Sequence, residues 1–146
     1  PYWNPYARGS LFGLTRGTKK EHIVRAALES LAYQTYDVIT AMEADAGIKL
    51  KELKADGGAS GNDFLMQFQA DILQEKVLRP DVYESTALGA AYLAGLCIGF
   101  WEDEATLRST RSYVKEFTPA MNKEIRGVYL ENWHRAVSGA LSWAEL

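Results

Sequence analysis

A strand–helix–strand pattern in the middle of the chain limits the folds open to it. The strand-like segments are Leu53-Lys54-Ala55 and Lys76-Val77-Leu78-Arg79. Between them, Phe64, Phe68 and Ile72 recur at the fourfold spacing of an amphipathic helix. Because strands that alternate with helices are typical of α/β proteins, the pattern predicts that fold class.

Longer helical patterns surround this unit. The first is expected to begin at Thr18, where Thr18 and Glu21 have the spacing of a capping box, and to end at Gly47. Its two apolar rows predict burial on more than one side. A further helix is expected at about residues 86–99. The final part, 109–146, is expected to be an extended segment followed by a last helix.

Residues 85–101 contain no charged side chain, which raises the question of a membrane span. The run is shorter than the roughly 20 apolar residues that cross a bilayer, and it includes Ser85, Thr86 and several glycines. We therefore expect a buried helix and no membrane span. Cys97 lies in this run and is expected to be buried, and as the single cysteine it indicates a reducing compartment, taken as the cytoplasm.

The composition indicates one globular unit over residues 1–146. The chain has 47% hydrophobic residues and a formal net charge of −3, which gives no basis for binding nucleic acid or an anionic membrane. Two or three short strands are too few for a self-sufficient sheet. The sequence thus predicts part of a domain, with helices packed on a mixed sheet whose first strands are missing.

The turn after the first strand is the strongest candidate for a binding site. It reads Asp56-Gly57-Gly58-Ala59-Ser60-Gly61-Asn62 and leads into a helix. Glycine lets a ligand approach the backbone, and a helix amino terminus attracts phosphate. On spacing alone an ordinary tight turn is the more frequent explanation. The spacing matches neither a Walker A loop nor a dinucleotide fingerprint.

Several segments resemble the FGGY carbohydrate kinases, in order and in spacing. They cover most of the chain, and within that family they are most similar to the glycerol kinase branch. The segments are PYWNPYARG, residues 9–29, FGLTRGT, ALESLAYQTYDV, DGGAS with FLMQFQADIL, and STALGAAYLAG.

The resemblance implies a ribonuclease-H-like domain of the actin-like ATPase superfamily. It also implies ATP binding, with Gly58 and Asn62 contacting the nucleotide and Gly57 and Ala59 shaping the turn. Mg²⁺ is expected to be bound mainly by parts outside this chain. The family's catalytic aspartate and glycerol pocket lie N-terminal to Pro1 by this resemblance, so no residue here is assigned a catalytic role.

The whole enzyme would transfer the γ-phosphoryl group of ATP to glycerol, and the chain alone is expected to be inactive. Glycerol would be reached only through the N-terminal lobe. Two alternatives stay open: another sugar or polyol kinase of the same family, and a non-catalytic actin-like nucleotide-binding module. Because missing strands leave sheet edges unpaired, self-association into a homo-oligomer is expected.

Other polar residues are weaker candidates. Asp63 stands where the family commonly has asparagine; it would repel phosphate, although a carboxylate in the first turn also stabilises a helix. His22 and His134 have no metal-ligand companions, so structural or surface roles are expected and no metal site is predicted. Asp37, with the other carboxylates of the first helix, is expected to lie on a solvated face.

Overall fold

The order of secondary-structure elements follows the predicted alternation. The computed structural model describes residues 2–82, 84–110 and 112–144. In chain order these contain α1 (Lys20–Ala46), β1 (Glu52–Lys54), a 3₁₀ turn (Gly58–Gly61), α2 (Asp63–Leu73), β2 (Lys76–Pro80), α3 (Ser85–Cys97), α4 (Glu104–Thr110), β3 (Tyr113–Phe117) and α5 (Lys123–Trp143).

The three strands form one mixed sheet in the order β1-β2-β3. β1 and β2 are parallel, with Leu53 opposite Val77, since α2 carries the chain back between them. β3 runs antiparallel to β2 and places Lys115 opposite Arg79. The expected α/β class, with helices on a mixed sheet, is confirmed.

α2 lies at the centre of the core. Its buried apolar residues cover most of its circumference, so it packs against the sheet and against both long helices. The core cluster contains Ala32 of α1, Leu65, Met66, Phe68, Ala70 and Ile72 of α2, Val77 of β2, Phe117 of β3 and Leu130 of α5. The phenyl ring of Phe68 meets Tyr33 edge-on at 5.5 Å, which fixes α1 across α2.

Polar contacts join α2 to the segment between β3 and α5. Asp71 Oδ1 accepts hydrogen bonds from the backbone N–H groups of Ala120 at 2.6 Å and Met121 at 3.1 Å. Arg126 Nε donates to the carbonyl of Ile72 at 2.6 Å. These bonds satisfy backbone groups at a turn and at a helix end, where regular structure supplies no partners.

The start of α1 differs from the predicted capping box. Thr18 Oγ1 accepts from the N–H of Thr15 at 2.8 Å, so it closes the preceding turn. The N–H of Lys19, the residue before the helix, donates instead to Nδ1 of His22 at 3.1 Å. Histidine here supplies the acceptor that was expected from Glu21. The helix ends as predicted, with Gly47 in the left-handed conformation at φ 65°.

Burial of α1 on more than one side is not observed. Ala32 and Asp37 are the buried residues of the helix. The first predicted apolar row is exposed; it consists of Ile23, Ala27, Leu31, Val38 and Met42. α1 packs on α2 and meets Trp133 of α5, and the first apolar row stays exposed beside these contacts.

α3 is also more exposed than predicted. Leu93 is 71% exposed and Cys97 is exposed, so the expected buried thiol is wrong. The close contact on this helix is at Gly95, where an added Cβ would lie 2.1 Å from the indole of Trp101. Apolar residues surround α3 on all sides, so their pattern could not tell which side is covered.

The membrane question has a direct structural answer. Across residues 2–82, 84–110 and 112–144, no helix has both the length and the apolar character needed to cross a bilayer.

Candidate functional site

The four predicted site residues lie together in the loop of residues 57–62, called here the glycine loop. β1 delivers the chain to it, and the Ala55 N–H donates to the carbonyl of Leu78 on β2 at 3.0 Å. Gly57 then adopts φ 81° and ψ 170°, a conformation that is essentially restricted to glycine. This residue lets the strand turn directly into the 3₁₀ turn.

Ser60 anchors the glycine loop from inside. It is 1% exposed, and its N–H and its Oγ both reach the carbonyl of Gly57, at 3.0 Å and 2.8 Å. The turn is therefore held from its buried side, and the opposite side, at Gly58 and Ala59, is exposed.

The exposed side of the turn carries free hydrogen-bond donors. The N–H groups of Gly58 and Ala59 donate to no other residue that the structure describes. Free donors are expected at the start of a helical turn, where no preceding carbonyl is in position. Two neighbouring N–H groups on one exposed surface can bind an anionic oxygen.

Asn62 ends the glycine loop and caps α2. Its Oδ1 accepts from the N–H of Leu65 at 3.1 Å, and its own N–H donates to the carbonyl of Ala59 at 3.1 Å. Asparagine is among the preferred residues at this position because its side-chain oxygen satisfies one free donor of the helix. Its side-chain amide nitrogen donates to none of the described residues, so that group is available to a ligand.

Two cations hold the carboxylate of Asp63, the first residue of α2. Arg79 Nη1 lies 2.7 Å from Oδ1 and Lys115 Nζ lies 2.6 Å from Oδ2. The Lys115 ammonium, and then the Arg79 guanidinium, hold the pKa of Asp63 below its ordinary value. Both oxygens are thus engaged, which reduces the repulsion that an isolated carboxylate would exert on phosphate.

A cavity of about 260 Å³ adjoins the start of the glycine loop without including it. Asp56, Asp81, Ser85 and Tyr113 are among the residues that line it, at the carboxyl ends of β1 and β2 and at the start of α3. None of Gly57, Gly58, Ala59 and Asn62 lines this cavity. The glycine loop is therefore an open surface, as one wall of a larger site would be.

The histidines and the first-helix carboxylates lie away from the glycine loop. Asp37 is buried, so its expected place on a solvated face is wrong: its carboxylate accepts from Trp133 Nε1 at 2.7 Å and lies 3.4 Å from His134 Nε2. His22 serves at the start of α1. Among the described residues, no group of three or more His, Cys, Asp or Glu side chains could hold a metal ion.

Arg79 and Lys115 are the residues at this site that the sequence did not reveal. They lie on different strands, and they reach Asp63 from 16 and 52 positions further along the chain. The one local signal is that each is a cation inside a strand-like segment, which is common on sheet surfaces. Only the pairing of β2 with β3 brings them together.

The sequence is similar to a known family of proteins. The sequence model described as "FGGY family of carbohydrate kinases, C-terminal domain" matches residues 1–98. Glycerol kinase 1 of Clostridium tetani (strain Massachusetts / E88) is 61% identical over 143 residues, which is 98% of this chain and 29% of that protein. The chain thus spans less than a third of the length of this relative.

Solved structures show the same relationship. The crystal structure of Plasmodium falciparum glycerol kinase with ADP matches 97% of this chain and 28% of its own, with a TM-score of 0.86 and 36% identity. Ligand-bound xylulose kinase from Lactobacillus acidophilus matches 97% of this chain and 29% of its own, with a TM-score of 0.71 and 28% identity.

The two kinds of comparison identify the same family. The fold that the resemblance implied, the actin-like ATPase fold of these kinases, is confirmed. The family model covers α1, the glycine loop, α2 and α3, and the identity to glycerol kinase extends over nearly the whole chain. This chain belongs to the FGGY family of carbohydrate kinases, and its residues 1–98 match the model of that family's C-terminal domain.

Proposed function

We propose that this chain forms the nucleotide-binding part of an ATP-dependent glycerol kinase. Gly58 and Asn62 contact the nucleotide, and Gly57 and Ala59 shape the turn that receives its phosphates. The whole enzyme transfers the γ-phosphoryl group of ATP to a hydroxyl of glycerol, giving glycerol 3-phosphate and ADP. The observation that carries the nucleotide assignment is the environment of Gly58.

Nothing inside the described chain requires glycine at position 58. Its φ is not positive, and a Cβ added there would meet no atom within 4 Å. Glycine costs about 0.5–1 kcal/mol of conformational entropy relative to alanine in regular structure. Close approach of a ligand to the backbone accounts for this residue, and the free N–H groups beside it are the donors that a phosphate needs.

The comparisons support glycerol as the acceptor. The relative that is 61% identical is a glycerol kinase, and the structure with the TM-score of 0.86 is a glycerol kinase with ADP. The xylulose kinase is less similar, at 28% identity. A glycerol kinase is therefore favoured over another sugar kinase of the same family.

Mg²⁺ is proposed to arrive with the nucleotide. The described residues offer no cluster of metal-ligating side chains, so they do not form a protein-only Mg²⁺ site. Mg²⁺ usually keeps several waters and binds through nucleotide phosphates with few carboxylates. This chain contributes backbone donors and position, and the expected catalytic aspartate is outside it, so the chain alone is proposed to be inactive.

The first experiment is an MgADP titration of the ¹⁵N-labelled chain, with a Gly58→Ala variant. We expect amide shifts that cluster in residues 57–62, and an affinity at least about tenfold lower in the variant, or about 1.4 kcal/mol. Gly89→Ala is the matched control, because a Cβ at Gly89 also meets no atom within 4 Å. Unchanged affinity in Gly58→Ala would contradict the assignment.

A chimera tests the activity. The matching C-terminal segment of the Clostridium tetani enzyme is exchanged for this chain, and glycerol 3-phosphate is measured with MgATP. The proposal expects activity in the chimera and none in the chain alone. Gly58→Ala in the chimera should raise KM for ATP and leave KM for glycerol unchanged. A rise in KM for glycerol alone would contradict the proposal that Gly58 contacts the nucleotide.

Self-association and location complete the proposal. The exposed apolar residues of α1 and α3, such as Val24 and Leu93, support a homo-oligomer, since large apolar surfaces are usually covered. Sedimentation velocity over a hundredfold range of concentration tests it, and a monomer throughout would contradict it. The free thiol of Cys97 supports a reducing compartment, in line with a cytoplasmic enzyme.

A further inference from the structure

We propose that Arg79 is a positioning residue that holds the glycine loop in its nucleotide-ready shape, and that Lys115 and Asp63 complete this support. The inference deepens the proposed function and rests on it for the link to the nucleotide. Arg79 touches no part of the exposed surface that would meet phosphate. It acts through the backbone of the loop.

The hydrogen bonds of the Arg79 guanidinium converge on the end of the glycine loop and on Asp63. Nη1 donates to the carbonyls of Ser60 at 3.1 Å and Gly61 at 3.4 Å, and to Asp63 Oδ1 at 2.7 Å. The side chain is 11% exposed. One guanidinium nitrogen thus holds the carbonyls that follow the free N–H groups, together with the first residue of α2.

The guanidinium is fixed from below as well. Its Cζ lies 5.5 Å from the centre of the Phe117 ring, and Lys115 Nζ lies 4.9 Å from the same ring. Phe117 is buried in the core. The Nε of Arg79 is buried and donates to no described residue. The guanidinium therefore keeps its contacts to the loop while its Nε–H group lacks a hydrogen bond, which costs free energy.

Charge explains why Asp63 belongs to this support. Arg79 and Lys115 lie opposite each other on antiparallel strands, and like charges in that position repel. The carboxylate of Asp63 lies between them, with one oxygen on each cation. Asp63, which looked unfavourable for phosphate binding, is therefore the counter-ion that allows Arg79 and Lys115 to lie next to each other beside the glycine loop.

The expected effect of losing Arg79 follows from these contacts. Without the guanidinium, the carbonyls of Ser60 and Gly61 lose their donor, and Asp63 keeps one partner instead of two. The end of the loop should then open more often, which exposes the hydrogen-bonded N–H groups of Ser60 and Asn62. If the loop is ordered in only a fraction of the molecules, the apparent affinity for the nucleotide is reduced by that same fraction.

Hydrogen exchange in the nucleotide-free chain is the direct test. In Arg79→Met we expect the Ser60 and Asn62 amides to exchange about tenfold faster, and MgADP affinity to fall about fivefold. Arg79→Lys should recover stability and only part of the loop protection, since an ammonium offers three donors but lacks the planar guanidinium that packs near the Phe117 ring. Arg126→Met is the matched control, because Arg126 also donates to a carbonyl and lies 5.3 Å from the ring centre of Tyr36.

The outcomes separate this inference from the proposed function. If Arg79→Met and Arg126→Met lower stability alike and loop exchange does not change, Arg79 is merely structural and the inference is wrong. If the chimera that carries the unchanged chain binds no MgADP, but Arg79→Met still speeds loop exchange, the positioning role stands and the nucleotide assignment fails. Should Arg79→Met not fold, Lys115→Met gives the same readout, with faster Asn62 exchange expected and no change contradicting the proposal.

Discussion

The indole Nε1–H of Trp133 donates a hydrogen bond to Oδ2 of Asp37 over 2.7 Å, across 96 positions of sequence. The same indole ring stacks on Tyr33, with centroids 5.2 Å apart. One side chain of α5 therefore meets both an aromatic ring and a buried carboxylate of α1. This contact fixes the last helix against the first.

Replacing Trp133 by phenylalanine should remove that hydrogen bond and keep much of the stacking. A buried carboxylate without its donor costs roughly 1–3 kcal/mol, so the free energy of unfolding in urea should fall by about that amount. Trp143→Phe is the control, since Trp143 is 67% exposed and its loss should cost less than about 0.5 kcal/mol. Equal losses would show that the hydrogen bond adds no stability.

Two leucines test the exposure of α3. Leu65 on α2 is 4% exposed and Leu93 on α3 is 71% exposed. Leu65→Ala should therefore lower the free energy of unfolding by about 2–5 kcal/mol, and Leu93→Ala by less than about 0.5 kcal/mol. A large and concentration-dependent loss in Leu93→Ala would show that another molecule covers α3 in solution.

The glycines at positions 57 and 58 should respond differently to alanine. Gly57 has φ 81° and ψ 170°, so Gly57→Ala should cost about 1–3 kcal/mol of stability through backbone strain. Gly58 has no positive φ, and a Cβ added there would meet no atom within 4 Å, so Gly58→Ala should leave the melting temperature unchanged or raise it slightly. Differential scanning calorimetry checks both variants, and a larger loss at Gly58 would contradict the geometry.

The carboxylate of Asp63 should contribute to the pH dependence of the free energy of unfolding at acidic pH. Lys115 and Arg79 lower its pKa in the folded chain, so the folded state binds its proton less readily than the unfolded state. The contribution is present above the unfolded value near pH 4, and it is lost as pH falls through the lower folded value. The difference in unfolding free energy between the chain and Asp63→Asn should shrink as the pH falls below about 4. A constant difference would contradict the coupling.

Local signals were enough for the centre of the fold. The fourfold spacing of Phe64, Phe68 and Ile72 predicted α2. The glycine turn after β1 and Pro80 at the end of β2 marked the two strands. Gly47 ended α1 as expected, because the left-handed conformation is costly for any residue with a Cβ. Such features depend on residues that are close together in sequence, so they can be predicted from the sequence alone.

Two of the failures depend on contacts that are distant in sequence. Asp37 looked like one carboxylate among several on a solvated helix face, and it is buried because Trp133 on α5 lies against it. Asp63 looked like a first-turn acid, and its partners come from β2 and β3. Thr18 had the spacing of a helix cap, but its hydroxyl oxygen accepts a hydrogen bond from the N–H of Thr15 in the preceding turn.

The hydrogen bonds of Asp71 to Ala120 and Met121 also bear on the order in which the chain assembles. They close loops of 49 and 50 positions, whereas β1, α2 and β2 form from residues close together in sequence. Since closing a long loop costs entropy before any contact forms, the segment after β3 should acquire its native turn late in folding. During synthesis, α2 would therefore already be folded when the segment after β3 packs against it.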